Sequence, residues 1–244
     1  MSIEIKKCMP PDIKVLREHF LHERKFQFVY NKCHDYNWCD DYIFSVDGNT
    51  IGYSAVWGSD KREERDAIFE FYLLPPFARY STGCFEKLRS ACNAKYIECQ
   101  SNDAMIIDLL FRYTGNIAAE SILFEDHRTT SLVIPGTRFR KRSNEDEWNG
   151  EDSEFVMEAE GALVASGGLM LNYNWPYADI YMQVKEPFRQ KGYGSLIVQE
   201  LKREAWSMMR IPAARCNIHN HISKATLEKA GFRSCGHILK GRLM

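Results

Sequence analysis

The chain has 244 residues, and its 32 Lys and Arg residues nearly balance its 33 Asp and Glu residues. This balance excludes a global electrostatic field that would draw the chain to nucleic acid or to an anionic membrane surface. Hydrophobic residues make up 45% of the chain, which suits one large or two modest cores and excludes a disordered protein. No apolar run approaches the roughly 18 residues of a membrane span, and the N-terminus lacks a signal-peptide pattern. We therefore expect a cytoplasmic protein without nucleic-acid or membrane partners.

The cysteine spacing argues against a metal or a disulfide framework. None of the eight cysteines forms a CxxC pair, so we expect reduced thiols. Cys33-His34 with Cys39, and His219 with His221, imitate pairs of metal ligands. Two ligands do not make the four that a structural zinc site needs, so the sequence predicts no metal.

The first half of the chain alternates strand and helix patterns. A short strand near residues 3–8 precedes a helix that begins at Pro10-Pro11-Asp12, and helix-like sequence continues to about Tyr36. Asp47-Gly48-Asn49 joins two alternating runs and predicts a hairpin. The remaining predicted elements are a strand over 67–74, a helix over 81–93, a strand over 95–100, a helix over 102–111 capped by Asn102 or Asp103, and a strand over 120–125.

From about Thr130 the same order returns. The predicted elements are a hairpin over 155–171 around Glu160-Gly161, a strand over 177–184, a helix over 194–206, a strand over 213–218, a helix over 223–230 and a strand over 234–241. Corresponding glycines and arginines of the two halves are offset by 113, 110 and 116 residues. A single large mixed sheet would not predict such agreement, so we expect two related modules, 1–130 and 131–244, that meet between residues 126 and 138.

A charged segment follows this boundary. Residues 138–155 carry a basic cluster and then an acidic one. The default prediction is a solvated loop or short helix, and the functional alternative is that the acids attract a cationic amine to a nearby cleft.

A glycine-containing turn carries the chemistry of the second module. The strand over 177–184 leads to residues 189–194, RQKGYG, and then directly into a helix. Glycines allow positive φ and close approach of the backbone, and a helix N-terminus attracts anions. The pattern therefore predicts a phosphate site, although a lone GxG misses both the dinucleotide and the P-loop fingerprints. The alternative is a simple turn between strand and helix.

Two motifs together resemble the GCN5-related N-acetyltransferase (GNAT) family. Residues 189–194 fit its [QR]xxGx[GA] signature, and residues 220–232, NHISKATLEKAGF, fit its N-x-x-[SA] and E-K-x-G-F ending. The resemblance covers about residues 138–240 and implies an α/β fold whose mixed, mostly antiparallel twisted sheet is flanked by helices. The first module resembles a diverged copy, because residues 78–83 keep Arg79 and Gly83 but lose the GxG. The chain is thus similar to tandem-GNAT proteins, with a degenerate domain over 1–130 and a catalytic domain over 131–244.

The resemblance implies acetyl-CoA as the cosubstrate. Its pantetheine amides would pair with backbone at Met182, Gln183 and Val184. Its pyrophosphate would meet Arg189, Gln190, Lys191, Gly192, Tyr193, Gly194 and Ser195. The resemblance also places Asn220 and Ser223 near the cofactor, although Asn220 is equally suited to be only a helix N-cap.

The implied reaction is direct attack by a primary amine on the thioester, without a covalent enzyme intermediate. Leu227 occupies the position where many relatives carry a tyrosine that protonates the thiolate. Ser223, Tyr193 or a water could replace it, or the thiolate could leave unassisted. The glutamate base of histone-type relatives falls on Ala178, and neighbouring Asp179 could accept the proton through water. The alternative for Asp179 is a solvated or hydrogen-bonded position at the end of a strand.

The sequence indicates the acyl donor more specifically than the acyl acceptor, which would be an amine-bearing small molecule or peptide. Tyr173, Asn174, Trp175 and Tyr177 either select a planar or aromatic-bearing amine or form a loop that packs against the other module. A non-catalytic acyl-CoA sensor or protein-interaction module is the alternative function, because Leu227 replaces the usual acid. A nucleotide-binding protein is a further alternative, opposed by the lack of a Ser or Thr after the loop lysine.

Overall fold

The computed structural model describes residues 2–24, 26–28, 31–148 and 153–244, and the chain forms two compact units. The first unit runs to Glu120 and also includes Gly236–Met244, whereas the second is Ser121–Cys235. The end of the chain thus belongs to the first unit, which the linear division at residue 130 did not predict. No described helix is long and apolar enough to span a membrane.

The first unit is a mixed sheet with helices. Its elements are β1 (Ile3–Cys8), α1 (Pro10–Arg24), α2 (Asn31–Asp35), β2 (Cys39–Val46), β3 (Asn49–Trp57), β4 (Ala67–Leu73), a 3-10 turn (Pro75–Tyr80), α3 (Ser81–Ala91), β5 (Tyr96–Gln100), α4 (Ala104–Tyr113) and the start of β6 (Thr114–Asp126). The strands lie in the order β1-β2-β3-β4-β5, and the end of β12 (Phe232–Leu243) pairs with β5. Only β4 and β5 run parallel among these described pairs.

The second unit repeats this arrangement. Its elements are the end of β6, β7 (Thr137–Lys141), β8 (Phe155–Ala159), β9 (Ala162–Met170), β10 (Tyr177–Val184), a 3-10 turn (Glu186–Phe188), α5 (Tyr193–Ser207), β11 (Ile211–Asn217), α6 (His221–Lys229) and the start of β12. The strand order is β6-β11-β10-β9-β8-β7, with β10 and β11 parallel. The predicted fold class, a mixed and mostly antiparallel sheet flanked by helices, is confirmed.

Local chemistry explains the turns and caps of these elements. Both hairpins turn through two residues of positive φ, Asp47-Gly48 (49° and 82°) and Glu160-Gly161 (51° and 77°). Such turns match the right-handed twist of the strands that they join. Asp103 caps α4, because its carboxylate accepts the Met105 N–H at 3.2 Å.

The long helix α5 packs on the sheet of the second unit through one apolar face. Leu196, Ile197 and Leu201 of this helix are buried in the core, where each side chain contributes about 1.5–3 kcal/mol. Gly167 of β9 allows the close approach, because a Cβ there would lie 2.9 Å from Leu201 Cδ1. This packing fixes the N-terminus of α5 beside the end of β10.

The charged segment after the domain boundary differs from its prediction. Residues 137–141 form strand β7 and not a loop or short helix. Arg140 on this strand bonds Asp146 at 2.6 and 2.7 Å and Glu158 at 2.9 Å. The Arg140 hydrogen bonds hold the pKa of Asp146 well below its ordinary value. This acid is therefore already paired with a side chain of its own unit, and residues 149–152 of the acidic cluster lie outside the described residues.

Candidate functional site

A cleft opens in the second unit where two parallel strands separate. β10 and β11 pair only at residues 177–179 of β10, and beyond that point the strands diverge. The resulting cavity has a volume of about 340 Å³. Its lining residues are Met182, Gln183, Val184, Phe188, Arg189, Gln190, Gly192, Gly194, Ser195, Asn220, Ile222, Ser223 and Thr226. The structure thus brings most of the predicted cofactor-binding residues together in one cavity.

Strand β10 directs backbone groups into this cleft. The Lys185 N–H donates to Val164 O at 3.0 Å, so the odd-numbered residues of β10 bond to β9. The even-numbered residues Met182 and Val184 consequently turn their N–H and C=O groups towards the cleft. Arg189 Nε donates to Val184 O at 3.3 Å and so lies at the end of this wall. An extended chain with amide groups can add to such a wall as a strand would.

The turn after β10 has the left-handed backbone conformation that the sequence predicted. Gln190 and Gly192 adopt positive φ values of 61° and 89°. Gly192 is the N-cap of α5, and as a glycine it caps none of the first-turn N–H groups with a side chain. These N–H groups and the positive end of the helix dipole are available to an anion.

The side chains of Lys191 and Tyr193 lie outside the cavity. Lys191 and Tyr193 were predicted to bind the cofactor, but their side chains are not among the described residues that line the cavity. The Lys191 ammonium lies 5.4 Å from the centre of the Phe188 ring, and the Tyr193 ring packs edge-on against the same phenylalanine. Their backbone groups belong to the turn, and binding of the cofactor by their side chains stays a prediction.

Helix α6 forms the opposite wall of the cleft. Its N-cap is Asn220, whose side-chain oxygen accepts the Ser223 N–H at 2.9 Å, so the expected capping role is confirmed. Ser223 and Thr226 lie one turn apart on the face towards the cavity. Ser195 donates its hydroxyl to Thr226 O at 3.1 Å, so this side chain ties the two helices together.

Some residues of the cleft were missed by the sequence. Phe188, Ile222 and Thr226 line it, and Lys229 Nζ would lie 3.8 Å from a Cβ at Gly192. Thr226 and Lys229 follow Ser223 at intervals of three residues, so the helical period was the available signal. Gly194 keeps the cleft open, because a Cβ there would lie 3.2 Å from Thr226 Cγ2.

The three proton-transfer candidates do not come together. Ser223 lines the cleft. Asp179 is instead buried at the last position at which β10 pairs with β11. Its Oδ2 lies 3.7 Å from Arg215 Nε, and Arg215 also donates to the Tyr173 hydroxyl. Asp179 is therefore buried and charge-paired with Arg215 beside the point where the strands separate, and its role as a base stays a prediction.

Leu227 and Cys216 both belong to the packed interior of the unit. Leu227 is buried in the main core, so the position that usually carries the acid does not face the cleft. Burial raises the pKa of the Cys216 thiol, which Ser223 contacts by a side-chain hydrogen bond. A thiol kept protonated in this way is a poor nucleophile.

The predicted aromatic loop before β10 splits into two environments. Tyr173 and Asn174 are buried, and the Tyr173 hydroxyl accepts a hydrogen bond from Arg215 of the same unit. Trp175 is exposed, and the guanidinium of Arg210 stacks 4.1 Å from the centre of its ring. Tyr177 is the first residue of β10, and burial raises its pKa.

The corresponding region of the first unit has the same topology but little space. β4 and β5 likewise pair over a short stretch, at two positions, yet the cavity near them has a volume of about 20 Å³, enough for roughly one water. Phe20, Phe26 and Phe28 line this cavity. The 3-10 turn continues directly into α3, and within this described stretch no residue from 79 to 83 has positive φ.

A family model described as an acetyltransferase (GNAT) domain matches residues 119–233, which contain the cleft, the turn and both flanking helices. The second unit is a GNAT acetyltransferase domain. Solved structures of similar fold extend over the whole chain. A GNAT-family acetyltransferase from Colwellia psychrerythraea has a TM-score of 0.80 at 16% identity and covers 99% of this chain and 100% of its own.

Two further GNAT structures align with the entire chain. A tandem GNAT protein from the clavulanic acid biosynthesis pathway has a TM-score of 0.59 at 10% identity, with 99% of this chain and 98% of its own covered. A GCN5-related N-acetyltransferase from Sphaerobacter thermophilus has the same TM-score and identity, with 98% and 95% covered. At these identities the likeness concerns the fold alone. No curated protein matches the sequence.

Proposed function

We propose that the chain is an N-acetyltransferase that transfers the acetyl group of acetyl-CoA to a primary amine of a small molecule or peptide. The supporting observation is the cleft of the GNAT domain, which joins a wall of exposed strand amides to an uncapped helix N-terminus. An acyl-CoA molecule has the matching parts, because its pantetheine arm is an extended chain of amides and its pyrophosphate is a dianion.

The pantetheine arm lies along β10 in this proposal. Its amides pair with the N–H and C=O groups of Met182 and Val184, which face the cleft. The pyrophosphate accepts hydrogen bonds from the backbone of residues 190–195 at the start of α5. Arg189 and Lys229 supply positive charge at the two sides of this turn. Asn220 keeps its capping role and presents its remaining amide hydrogens to the pantetheine arm.

The chemical step is direct attack of the neutral amine on the thioester carbonyl. A cleft-facing N–H of β10 stabilises the oxyanion, because a fixed backbone dipole needs no reorganisation during the reaction. Ser223 donates a hydrogen bond to the departing thiolate, since it is the acid candidate whose side chain lines the cleft. Asp179 receives the amine proton through water, from beside the point where β10 and β11 separate. The thiol product, with a pKa near 8.5, demands only modest assistance.

The first unit does not bind acyl-CoA in this proposal. Its small cavity and its turn without left-handed residues support this interpretation. Gly83, which it shares with the signature, has a packing role, because a Cβ there would lie 2.7 Å from Ile3 Cδ1. We therefore expect one acetyl-CoA site in each chain.

Isothermal titration calorimetry with acetyl-CoA tests the proposed pyrophosphate site at residues 190–195. Gly192→Asp adds a carboxylate where the pyrophosphate lies, so we expect affinity to fall at least about 100-fold, or about 2.8 kcal/mol. Gly161→Asp is the matched control, because Gly161 has a similar positive φ, with nothing within 4 Å of its Cβ position, at a hairpin tip. The control should bind as the wild type does. Equal affinity of the two variants, or two sites per chain in the wild type, contradicts the assignment.

A thiol-release assay against a panel of amines, peptides and aminoglycoside antibiotics tests the reaction. Release of CoA thiol that depends on one amine supports the enzyme. Tight acetyl-CoA binding without turnover for any amine instead supports an acyl-CoA sensor, the alternative favoured by Leu227 in the core. Competition of ATP with acetyl-CoA at equal strength would favour a nucleotide-binding protein.

A further inference from the structure

A buried group of three chemically different side chains lies in the first unit. His34 comes from α2, and Cys39 and Asp41 follow on β2, where alternation places them on one face. His34 Nδ1 lies 3.1 Å from Asp41 Oδ1, and Cys39 Sγ lies 3.5 Å from each of these two atoms. All three side chains are buried. One atom of each residue therefore converges on a common point.

We propose that His34, Cys39 and Asp41 bind a divalent metal ion of the zinc class. Zinc lies about 2.0–2.2 Å from nitrogen and oxygen ligands and about 2.3 Å from sulfur. Tetrahedral angles then place the nitrogen and oxygen ligands about 3.4 Å apart and each of them about 3.6 Å from the sulfur. The observed separations are within a few tenths of an ångström of these values. A metal ion fits by spreading the three atoms slightly.

The far side of the imidazole supports the same assignment. His34 Nε2 lies 3.2 Å from Glu70 Oε2, so a neutral ring can donate its Nε2–H to the Glu70 carboxylate and leave the Nδ1 lone pair for a metal. Glu70 is itself held by Arg17, at 3.0 and 3.1 Å, and by the Tyr53 hydroxyl at 2.8 Å. Histidines that bind metals generally donate their second N–H to a carboxylate, which fixes the tautomer and the ring orientation.

Charge and ligand type narrow the kind of ion. The net charge is zero when a divalent cation binds the Cys39 thiolate, the Asp41 carboxylate and a neutral His34. The charges of Glu70 and Arg17 also cancel each other. Burial of this assembly is therefore not opposed by uncompensated charge. A set of sulfur, nitrogen and oxygen ligands favours zinc over magnesium or calcium, which prefer oxygen alone. Water or the second oxygen of Asp41 completes the coordination.

The position of the site indicates what the ion does. It joins α2 to β2, and through Glu70 it reaches β4 and, through Arg17, α1. The ion would hold the N-terminal segment on the sheet of the first unit. The linear sequence predicted no metal because it showed Cys33-His34 and Cys39 only; folding adds Asp41, and Cys33 is not part of the cluster.

Metal analysis of the tag-free, full-length protein tests the proposal. After purification with zinc in the growth medium, elemental analysis should give about one zinc per chain. Replacement by Co²⁺ should produce the visible bands of tetrahedral cobalt and a thiolate-to-cobalt charge-transfer band. Cys39→Ser should abolish the charge-transfer band and weaken cobalt binding at least 100-fold. Cys84→Ser is the control, because Cys84 is a buried thiol of the same unit outside the cluster.

The wild type alone can refute the proposal if the variants fail to fold. No bound zinc, and no thiolate-to-cobalt band after metal exchange at a pH of roughly 8, would mean that the three side chains only hydrogen-bond to one another. A charge-transfer band that persists in Cys39→Ser would also overturn the assignment. A chelator should lower the melting temperature of the wild type and leave that of a folded Cys39→Ser variant unchanged.

Discussion

Gly231 ends α6 in a position that no other residue fits, and Gly231→Ala should destabilise the second unit strongly. Its φ is +92°, and an added Cβ would lie 2.2 Å from the backbone oxygen of Arg128. That oxygen cannot simply retreat, because it accepts a hydrogen bond from the buried Lys202 ammonium at 2.8 Å. The Arg128 N–H also donates to Gly231 O at 3.0 Å, which ties the two segments together.

Two costs add up in this variant. Alanine in the left-handed region costs roughly 1–2 kcal/mol relative to glycine. Loss of the charged hydrogen bond to Arg128 O costs about 1.5–3 kcal/mol more. We expect a total of about 2.5–5 kcal/mol, which corresponds to a fall in melting temperature of roughly 10 °C for a chain of this size.

Scanning calorimetry of Gly231→Ala and Gly161→Ala separates the two costs. Gly161 has a comparable φ of +77° and open space around its Cβ position, so its variant bears the conformational cost alone, with a fall of roughly 4 °C. Equal shifts in the two variants would refute the reasoning, because the backbone contact with Arg128 would then cost nothing. Urea unfolding of the same pair checks the order of the two effects.

Two further predictions concern the chemistry of the cleft. Ser223→Ala should lower kcat about tenfold or more at unchanged acetyl-CoA affinity, whereas Tyr193→Phe should leave kcat within about twofold, because only Ser223 of the two lines the cavity. Steady-state kinetics measures kcat of both variants, and calorimetry measures their acetyl-CoA affinity. Equal kcat values in the two variants would remove Ser223 from the mechanism. Cys216→Ala should retain at least about a third of the wild-type kcat, since burial raises the thiol pKa and direct attack needs no acyl-cysteine; accumulation of an acylated Cys216 in rapid-quench mass spectrometry would contradict this.

The sequence by itself determined the features that depend on neighbouring residues. Both hairpin turns, the cap at Asp103, strand β10 and the left-handed turn at Gly192 follow from short-range backbone preferences. The same local patterns indicated the repeat of the two units and led to the prediction of an anion site. Strand β7 was not predicted, because its basic residues resemble those of a solvated loop. The acids that pair with Arg140 come from residues 146 and 158, and the sequence does not show that pairing.

Tertiary structure alone decided which groups meet across distant segments. The divergence of β10 and β11 opens the cleft, and Asp179 pairs with Arg215 beside the point of divergence. The C-terminal segment returns to the first unit, and Glu70 reaches His34 from another strand. Contacts of this kind leave no periodic trace in the sequence, because they join residues tens of positions apart whose local conformations are the same with or without the partner.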